Sequence, residues 1–284
     1  MSASSGISGQ PVLEARALAK RYRRGVWALG GIDLALRAGG ITALVGPNAA
    51  GKSTLIKTWV GFERPTRGGV TVAGIDPWKD RSAALAHLGY VPQSPSLYDA
   101  LSVEDHLAMA VQLRPGFDRA YAAARLDQLA IPRPAPARHL SGGQQAQVAL
   151  ALALGTRAEI LLLDEPLASL DPLARREFLH VLTEAVHSDG ATALLSSHIV
   201  TDVEQACDNL IVLGVGRVLL HASIADALAT HAISMTPRSD AVASFAEADG
   251  SMLTLVRDSG DRAATLEEIV LGYLAAGRTA AVAA

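Results

Sequence analysis

A glycine-rich loop that ends in a lysine and a serine is the pattern in this chain most suited to chemistry. Gly46, Gly51, Lys52 and Ser53 satisfy the pattern G-x-x-x-x-G-K-[ST]. The glycines let backbone N–H groups turn towards phosphate oxygens, the lysine reaches the β- and γ-phosphates, and the serine hydroxyl ligates Mg²⁺. The sequence therefore predicts a nucleoside triphosphate site formed by Gly46, Pro47, Asn48, Ala49, Ala50, Gly51, Lys52, Ser53 and Thr54.

The elements expected on either side of the loop agree with this prediction. Ile41–Val45 is a short apolar run of the kind found in the buried centre of a sheet, and a helix is expected over residues 52–60. A helix that begins at the loop also directs the positive end of its dipole at a bound anion. An accidental glycine-rich turn, the alternative interpretation, would not require this context.

Two neighbouring acids supply the second chemical feature. Asp164 and Glu165 directly follow Ile160–Leu163, a run of four large apolar residues expected to form a buried strand. At the C-terminal end of such a strand, Asp164 is suited to hold the magnesium shell and Glu165 to orient and deprotonate an attacking water. The alternative is a solvated acidic turn, which the phosphate loop disfavours.

The remaining elements indicate the fold class. Residues 12–18 and 32–36 alternate as antiparallel strands do, and residues 78–135 are expected to be mostly helical. Beyond them, strands alternate with helices up to about residue 222. This order predicts an α/β domain with a largely parallel sheet. Residues 1–10 are expected to form a disordered tail, and residues 223–284 a small C-terminal extension.

Composition excludes several classes of protein. The 284 residues carry a formal net charge of −3, which gives no overall basic field, so a general nucleic-acid binder is disfavoured. Cys207 is the single cysteine and cannot form an internal disulfide. No apolar run approaches the roughly 18 residues that span a bilayer, and the N-terminus has no signal pattern. We therefore expect a cytoplasmic protein, so any membrane-spanning part must come from a partner.

The sequence Leu-Ser-Gly-Gly-Gln at residues 140–144 connects these features. Together with the phosphate loop and the acidic pair, it resembles the signature of the ATP-binding cassette (ABC) ATPases. Membership would imply a P-loop NTPase fold with a RecA-like parallel core, an antiparallel β subdomain and a helical subdomain over about residues 92–155. In that family two nucleotide domains pack head to tail, and the signature of each completes the ATP site of the other. The residues that carry this role here are Ser141, Gly142, Gly143 and Gln144.

The resemblance also assigns roles to single residues outside the motifs. Tyr22 matches the aromatic residue that stacks on adenine, with a surface tyrosine as the alternative interpretation. Gln93 matches the glutamine that senses magnesium and faces the membrane partner. Asp171 belongs to the loop that links the two active sites, and His198 matches the histidine that contacts the γ-phosphate.

The chain departs from the family pattern at three places. Ala49 stands where the family usually has glycine, and its methyl group costs affinity if the position needs a positive φ angle. Residues 145–147, Gln-Ala-Gln, lack the usual arginine, and Leu152 stands where another arginine is common. None of these residues is proposed for chemistry, so hydrolysis of ATP is still expected.

The resemblance leads to a functional hypothesis. Residues 11–222 would form the ATPase motor of a transporter, with ATP and Mg²⁺ as cofactors. Its partners would be separate transmembrane permease subunits and a second nucleotide domain, with no nucleic acid. The single cassette and the tail at residues 265–274 are most similar to ABC-2 type exporters, which implies a place at the inner face of the cell membrane. The alternatives are a soluble cassette ATPase that acts on ribosomes or nucleic acid, and a non-enzymatic binding protein.

Overall fold

The computed structural model describes residues 10–23, 25–246 and 250–282, so most of the predicted tail at residues 1–10 lies outside the described residues. The strands, in chain order, are β1 Leu13–Arg21, β2 Trp27–Leu36, β3 Ile41–Val45, β4 Arg67–Val72, β5 Leu88–Val91, β6 Ile160–Leu163, β7 Thr192–Ser197, β8 Asn209–Gly214, β9 Arg217–Ser223, β10 His231–Ser234, β11 Ala243–Ala246, β12 Met252–Arg257 and β13 Arg262–Ala263. The helices are α1 Lys52–Trp59, α2 Arg81–Ala86, α3 Val103–Leu113, α4 Arg119–Gln128, α5 Gly142–Gly155, α6 Pro172–Asp189, α7 Val200–Ala206, α8 Ile224–Thr230 and α9 Leu266–Val282.

A six-stranded sheet forms the centre of the molecule, in the order β5-β6-β7-β3-β8-β9. Every neighbouring pair is parallel except β8 and β9, which are joined by a tight turn and run antiparallel. All residues of β3, β6 and β7 are buried, as expected for strands covered on both faces. The predicted α/β class is confirmed, and the C-terminal ends of β3, β6 and β7 lie side by side.

A second, three-stranded antiparallel sheet of order β2-β1-β4 covers α1. The indole Nε1 of Trp59 on α1 donates a hydrogen bond of 2.9 Å to the backbone oxygen of Glu14 on β1. Trp59 is fully buried among Leu18, Leu29 and Val72 from the three strands. These contacts hold the helix that follows the phosphate loop between the two sheets.

Residues 88–91 correct the prediction of a mostly helical segment. They form β5, the edge strand next to β6, instead of continuing a helix. A run of four residues has too few turns for a helical period to be distinguished from a strand. The helices α3 and α4 on the C-terminal side of this strand pack with α5 into a separate helical layer around Leu107, Leu126 and Val148. Ser102 and Asp105 form a capping box at the start of α3.

Residues 223–282 build a four-stranded antiparallel sheet of order β11-β12-β10-β13, with α8 and α9 against it. The core of this segment is continuous with that of the central sheet. Leu210 and Val212 of β8 belong to the same buried cluster as Leu255 of β12 and Ile269 of α9. The predicted domain boundaries stay a prediction, but this segment contains more regular structure than the sequence indicated.

Among the helices of the described residues, none combines the length and the apolar character that crossing a bilayer requires.

Candidate active site

The phosphate loop lies between β3 and α1, and its backbone conformation depends on residues with little or no side chain. Gly51 has a φ angle of 105°, and a Cβ there would lie 2.6 Å from the backbone oxygen of Ala28. A Cβ on Gly46 would lie 2.2 Å from the backbone oxygen of Leu213. Both glycines are therefore required by close backbone packing as well as by access to phosphate.

Ala49, which stands where the family usually has glycine, adopts a left-handed backbone conformation. Its φ angle is 65°. This conformation costs an L-residue with a Cβ roughly 1–2 kcal/mol, a cost that glycine does not have. The loop therefore contains local strain at a position where the sequence already differs from the family.

The ammonium group of Lys52 is buried and fully hydrogen-bonded. Its Nζ donates to the backbone oxygens of Gly46 at 2.7 Å and Pro47 at 3.1 Å. It also pairs with Glu165 Oε1 at 2.9 Å, and only 3% of the Lys52 side chain is exposed. Three acceptors match the three N–H donors of an ammonium group, and the carboxylate balances its charge in a site that excludes water.

Ser53, Asp164 and Ser196 form a second hydrogen-bonded group beside the lysine. The hydroxyl of Ser53 donates to Asp164 Oδ1 at 2.8 Å, and the Ser196 hydroxyl donates to the same oxygen at 3.3 Å. Burial raises the pKa of Asp164 above its ordinary value, although the two hydroxyls and the charge of Lys57 act in the opposite direction. A cation at this position would offset the cost of burying the carboxylate.

These oxygens fit the preferences of Mg²⁺. The ion takes one or two protein oxygens and completes its octahedral shell with phosphate oxygens and water, so a dedicated cage of side chains is not needed. Ser53 Oγ and Asp164 Oδ1 are adjacent and available as such a pair. Consistently, no group of three or more His, Cys, Asp and Glu side chains able to hold a metal occurs within the part of the chain that the structure describes.

Glu165 lies between the ammonium group of Lys52 and the imidazole of His198 in a strained conformation. Its φ angle is 46°, and its backbone N–H donates to the Ser196 hydroxyl at 2.7 Å. Besides the contact with Lys52, its Oε2 lies 3.5 Å from His198 Nδ1. Backbone strain of this kind is found where a side chain must be aimed at a functional position. The imidazole is 44% exposed and so lies at the mouth of the site.

Two residues assigned by resemblance lie at the periphery. The hydroxyl of Tyr22 is 3.3 Å from the Thr54 hydroxyl, which places the partly exposed ring beside the first turn of α1. Gln93 is exposed, just beyond β5, and within the described residues its side chain makes no hydrogen bond. The structure therefore connects Tyr22 to the phosphate loop, and no hydrogen bond among the described residues joins Gln93 to it.

The signature residues lie on the helical layer, at the N-terminus of α5. Ser141 caps the helix, and it forms a capping box in which Gln144 Oε1 accepts the Ser141 N–H at 3.0 Å. Asp171 caps α6 by accepting the N–H groups of Leu173 and Ala174, both at 3.0 Å. In the described part of the molecule no hydrogen bond joins either helix start to the phosphate loop. Both starts line one cavity of about 190 Å³.

Gln147 lies in the stretch after the signature that lacks the family's usual arginine. Its side chain is buried in α5 at 4% exposure and lines the same cavity. Both its amide oxygen and its amide nitrogen are without a hydrogen-bond partner among the described residues. Gln145, in contrast, donates to the backbone oxygens of Ala137 and Leu140. An unpaired buried amide costs stability at the position where the family pattern is broken.

Ser196 is the site residue that sequence reasoning missed. It lies at the end of β7, between the strands that lead to Lys52 and Asp164, and it contacts both acids of the pair. The available signal was a serine pair at the end of a run predicted to be a buried strand. A buried polar residue at the carboxyl end of a parallel strand is typical of sites in α/β folds.

Comparison with known proteins gives consistent matches. The family model described as ABC transporter matches residues 29–168. A thiamine import ATP-binding protein of Jannaschia sp. is 34% identical over 76% of this chain and 96% of its own length. A probable multidrug ABC transporter ATP-binding protein of Escherichia coli is 36% identical over 68% of this chain, but only 34% of that protein is covered.

Solved structures agree in fold. A structure described as the ATP-binding subunit of an ABC transporter has a TM-score of 0.69 and 29% identity, covering 76% of this chain and 91% of that one. The cbiO1 protein of Clostridium perfringens, described as part of the transporter complex cbiONQ, has a TM-score of 0.66 and 31% identity, with coverages of 75% and 89%. A dimeric cassette solved with ADP and Pi, 24% identical with a TM-score of 0.67, covers 75% of this chain and 98% of its own and supports the fold alone.

Replacement of Ala49 by glycine should stabilise the protein. We expect Ala49→Gly to raise the free energy of unfolding by about 0.5–1 kcal/mol, because relief of the left-handed strain exceeds the entropic cost of glycine. Ala50→Gly is the matched control, since Ala50 does not have a positive φ and should lose about 1 kcal/mol. Chemical denaturation measures both variants. If Ala49→Gly and Ala50→Gly lowered the free energy of unfolding equally, the inferred backbone strain at Ala49 would be contradicted.

Replacement of Gln147 by methionine should also stabilise the protein, by about 1 kcal/mol, because it removes two unpaired buried polar atoms while keeping the side-chain volume. Thermal unfolding of Gln147→Met provides the measurement. Gln144→Met serves as the control on the same helix: it removes the capping-box hydrogen bond and should lower the melting temperature. A loss of stability in Gln147→Met would show that the amide has a partner in solution.

Proposed function

Because the chain belongs to the ABC transporter family as an ATP-binding, ATP-hydrolysing subunit, we propose that it works as a head-to-tail dimer that drives export through separate membrane subunits. The observation that carries the proposal is the contact of Lys52 and His198 with the carboxylate of Glu165, beside the Ser53–Asp164 pair. In this proposal Lys52 is the phosphate-binding cation, Glu165 is the base, and Ser53 with Asp164 is the metal-binding pair. These residues lie at the ends of β3 and β6, with β7 between them.

Charge balance gives Lys52 and Glu165 linked roles. The carboxylate of Glu165, whose Oε1 lies 2.9 Å from Lys52 Nζ, balances the positive charge of the lysine. When ATP binds, its β- and γ-phosphates contact Lys52 and replace Glu165 as the balancing negative charge. The released carboxylate then accepts a proton from a water, whose oxygen attacks the γ-phosphorus as the bond to the ADP oxygen breaks. His198 donates a hydrogen bond to a γ-phosphate oxygen from the mouth of the site. Mg²⁺, held by Ser53 and Asp164 and approached by Gln93, would neutralise charge on the phosphate oxygens.

The start of α5 provides the second half of the site. The helix has 14 residues, and its N-terminus with Ser141 and Gly143 offers a hydroxyl, backbone N–H groups and the positive end of a dipole. Within one chain it forms no hydrogen bond with the described phosphate loop. A second copy packed head to tail would bring this anion site to the γ-phosphate, and Asp171 at the start of α6 would lie at the same interface. Tyr22 would stack on the adenine.

The direction of transport rests on two observations. The tail at residues 265–274 resembles those of ABC-2 exporters, and one of the relatives is a probable multidrug transporter protein. Most of the other relatives are import proteins by name, so the proposed direction depends on the tail. The exposed loop at Gln93 is the proposed contact with the membrane subunits, which would hold the chain at the inner face of the membrane.

Replacement of Glu165 by glutamine tests the proposed catalytic role. Glu165→Gln should lower ATP turnover at least about 100-fold, because an amide cannot accept the proton of the attacking water. Glu159→Gln removes an exposed carboxylate at the opposite end of β6 and should leave turnover unchanged. With ATP and Mg²⁺, Glu165→Gln should sediment as a dimer, and addition of Ser141→Arg should return it to a monomer by blocking the helix start. Normal turnover in Glu165→Gln would overturn the role, and an ATP-bound monomer would overturn the dimer.

Reconstitution tests the proposed direction. Membranes of the source cells should yield a polytopic membrane protein that co-purifies with this chain. In proteoliposomes that expose the chain outwards, ATP should drive the cargo of that complex into the lumen, away from the ATPase. Complexes with Glu165→Gln are the matched control and should show no movement. Transport towards the side of the ATPase would contradict export.

A further inference from the structure

A groove outside the ATP site is lined by cations without acidic partners. It has a volume of about 750 Å³ and runs between the exposed side of β1 and β2, the turn from β8 to β9, and the end of α9. Its lining includes Trp27, Arg67, Val215, Arg217, Leu219 and Ala280. We call it the arginine groove. None of the residues that line it within the described chain is acidic.

Two guanidinium groups gather at one aromatic ring of this groove. The Arg21 and Arg67 guanidinium carbons lie 5.6 and 5.8 Å from the centroid of Trp27, which is 44% exposed. Arg217 lies across the groove, against Gly30. Elsewhere in the central domain Arg16, Arg119, Arg125 and Arg157 pair with carboxylates, but in the described part of the chain Arg21, Arg67 and Arg217 form no ion pair. The groove therefore concentrates positive charge on a protein of net charge −3.

We infer that the arginine groove binds an acidic peptide segment of a partner protein. Guanidinium groups form paired hydrogen bonds with carboxylates. Because Arg21, Arg67 and Arg217 form no ion pair in the described chain, their N–H donors are available to the carboxylates of a bound segment. The floor between them is apolar and shallow, formed by Ala19, Leu219 and Ala280, so it accepts aliphatic side chains that alternate with the acids. A nucleic acid fits less well, because Arg21 and Arg67 already contact the aromatic ring that a base would stack on.

The turn from β8 to β9, which lines one side of the groove, is hydrogen-bonded directly to the phosphate loop. The N–H of Gly216, in the turn from β8 to β9, donates to the backbone oxygen of Ala50 at 3.2 Å, and the Gly216 oxygen accepts the N–H of Gly30 at 2.9 Å. Val215, the neighbouring residue, is 55% exposed in the groove. A bound segment therefore contacts a turn that is one hydrogen bond from the ATP site. The inference does not depend on the direction of transport or on the dimer.

Fluorescence anisotropy with a labelled peptide tests the inference on the intact chain. The probe is an eight-residue peptide of alternating glutamate and leucine, and its control has glutamine in place of each glutamate. Wild type should bind the acidic peptide and not the glutamine peptide. Arg67→Glu and Arg217→Glu should each weaken binding at least about tenfold, since each replaces an attractive contact with a repulsive one. Arg67→Gln, which perturbs the fold less, should weaken it in the same direction.

Arg37→Glu is the matched control variant. Arg37 is exposed just beyond the opposite end of β2, forms no ion pair in the described chain, and undergoes the same change of charge. It should bind the peptide as wild type does. Equal weakening of peptide binding by Arg37→Glu would show that the effect comes from net charge alone, and it would overturn the proposed binding site. Binding of the glutamine peptide with the same affinity, unchanged binding in the Arg67 and Arg217 variants, or tighter binding of an oligothymidylate of equal charge would also overturn it.

Discussion

The buried positive charge of Lys52 is the constraint on which the active site depends. An ammonium group that is 3% exposed must have its charge balanced and all its N–H donors accepted. The phosphate loop supplies two backbone oxygens and Glu165 supplies the charge. This requirement fixes the distance between the end of β3 and the end of β6, although β7 lies between them in the sheet. Ser196 on β7 contacts both acids at the end of β6.

The ion pair between Lys52 and Glu165 also links this structure to the proposed reaction. Glu165 serves as a counter-ion in this structure and as a base in the proposed mechanism, and it cannot do both with full effect. Triphosphate carries enough negative charge to replace it beside the lysine. The strained φ angle of 46° and the hydrogen bond from its N–H to Ser196 keep its backbone in place. Occupation of the nucleotide site and availability of the base are therefore coupled through a single ion pair.

The sequence predicted the parts of this protein in which local pattern and chemistry coincide. The strand before Gly46, the helix after it, the strand before Asp164 and the capped start of α5 all have distinctive local signals, and the structure has each element in its expected place. Residues 88–91 were misjudged because a four-residue strand owes its conformation to pairing with β6. The contacts of Ser196 and the φ angle of Glu165 were not predictable, since both depend on the sheet order, which joins residues more than 30 positions apart. The short strands β10, β11 and β13 of the C-terminal segment likewise gave weak signals and depend on tertiary packing.

The shared core between β8 and the C-terminal segment has a consequence for the cooperativity of the molecule. Gly272 of α9 approaches Leu255 so closely that a Cβ would lie 2.5 Å from its side chain, and Leu255 lies in one cluster with Leu210 and Val212 of the central sheet. A cluster that crosses from one sheet to another cannot be divided without exposing apolar surface on both sides. The described residues 225–246 and 250–282 and the β3–β8 pair therefore melt together, and protection of their amides from hydrogen exchange should rise jointly when nucleotide binds.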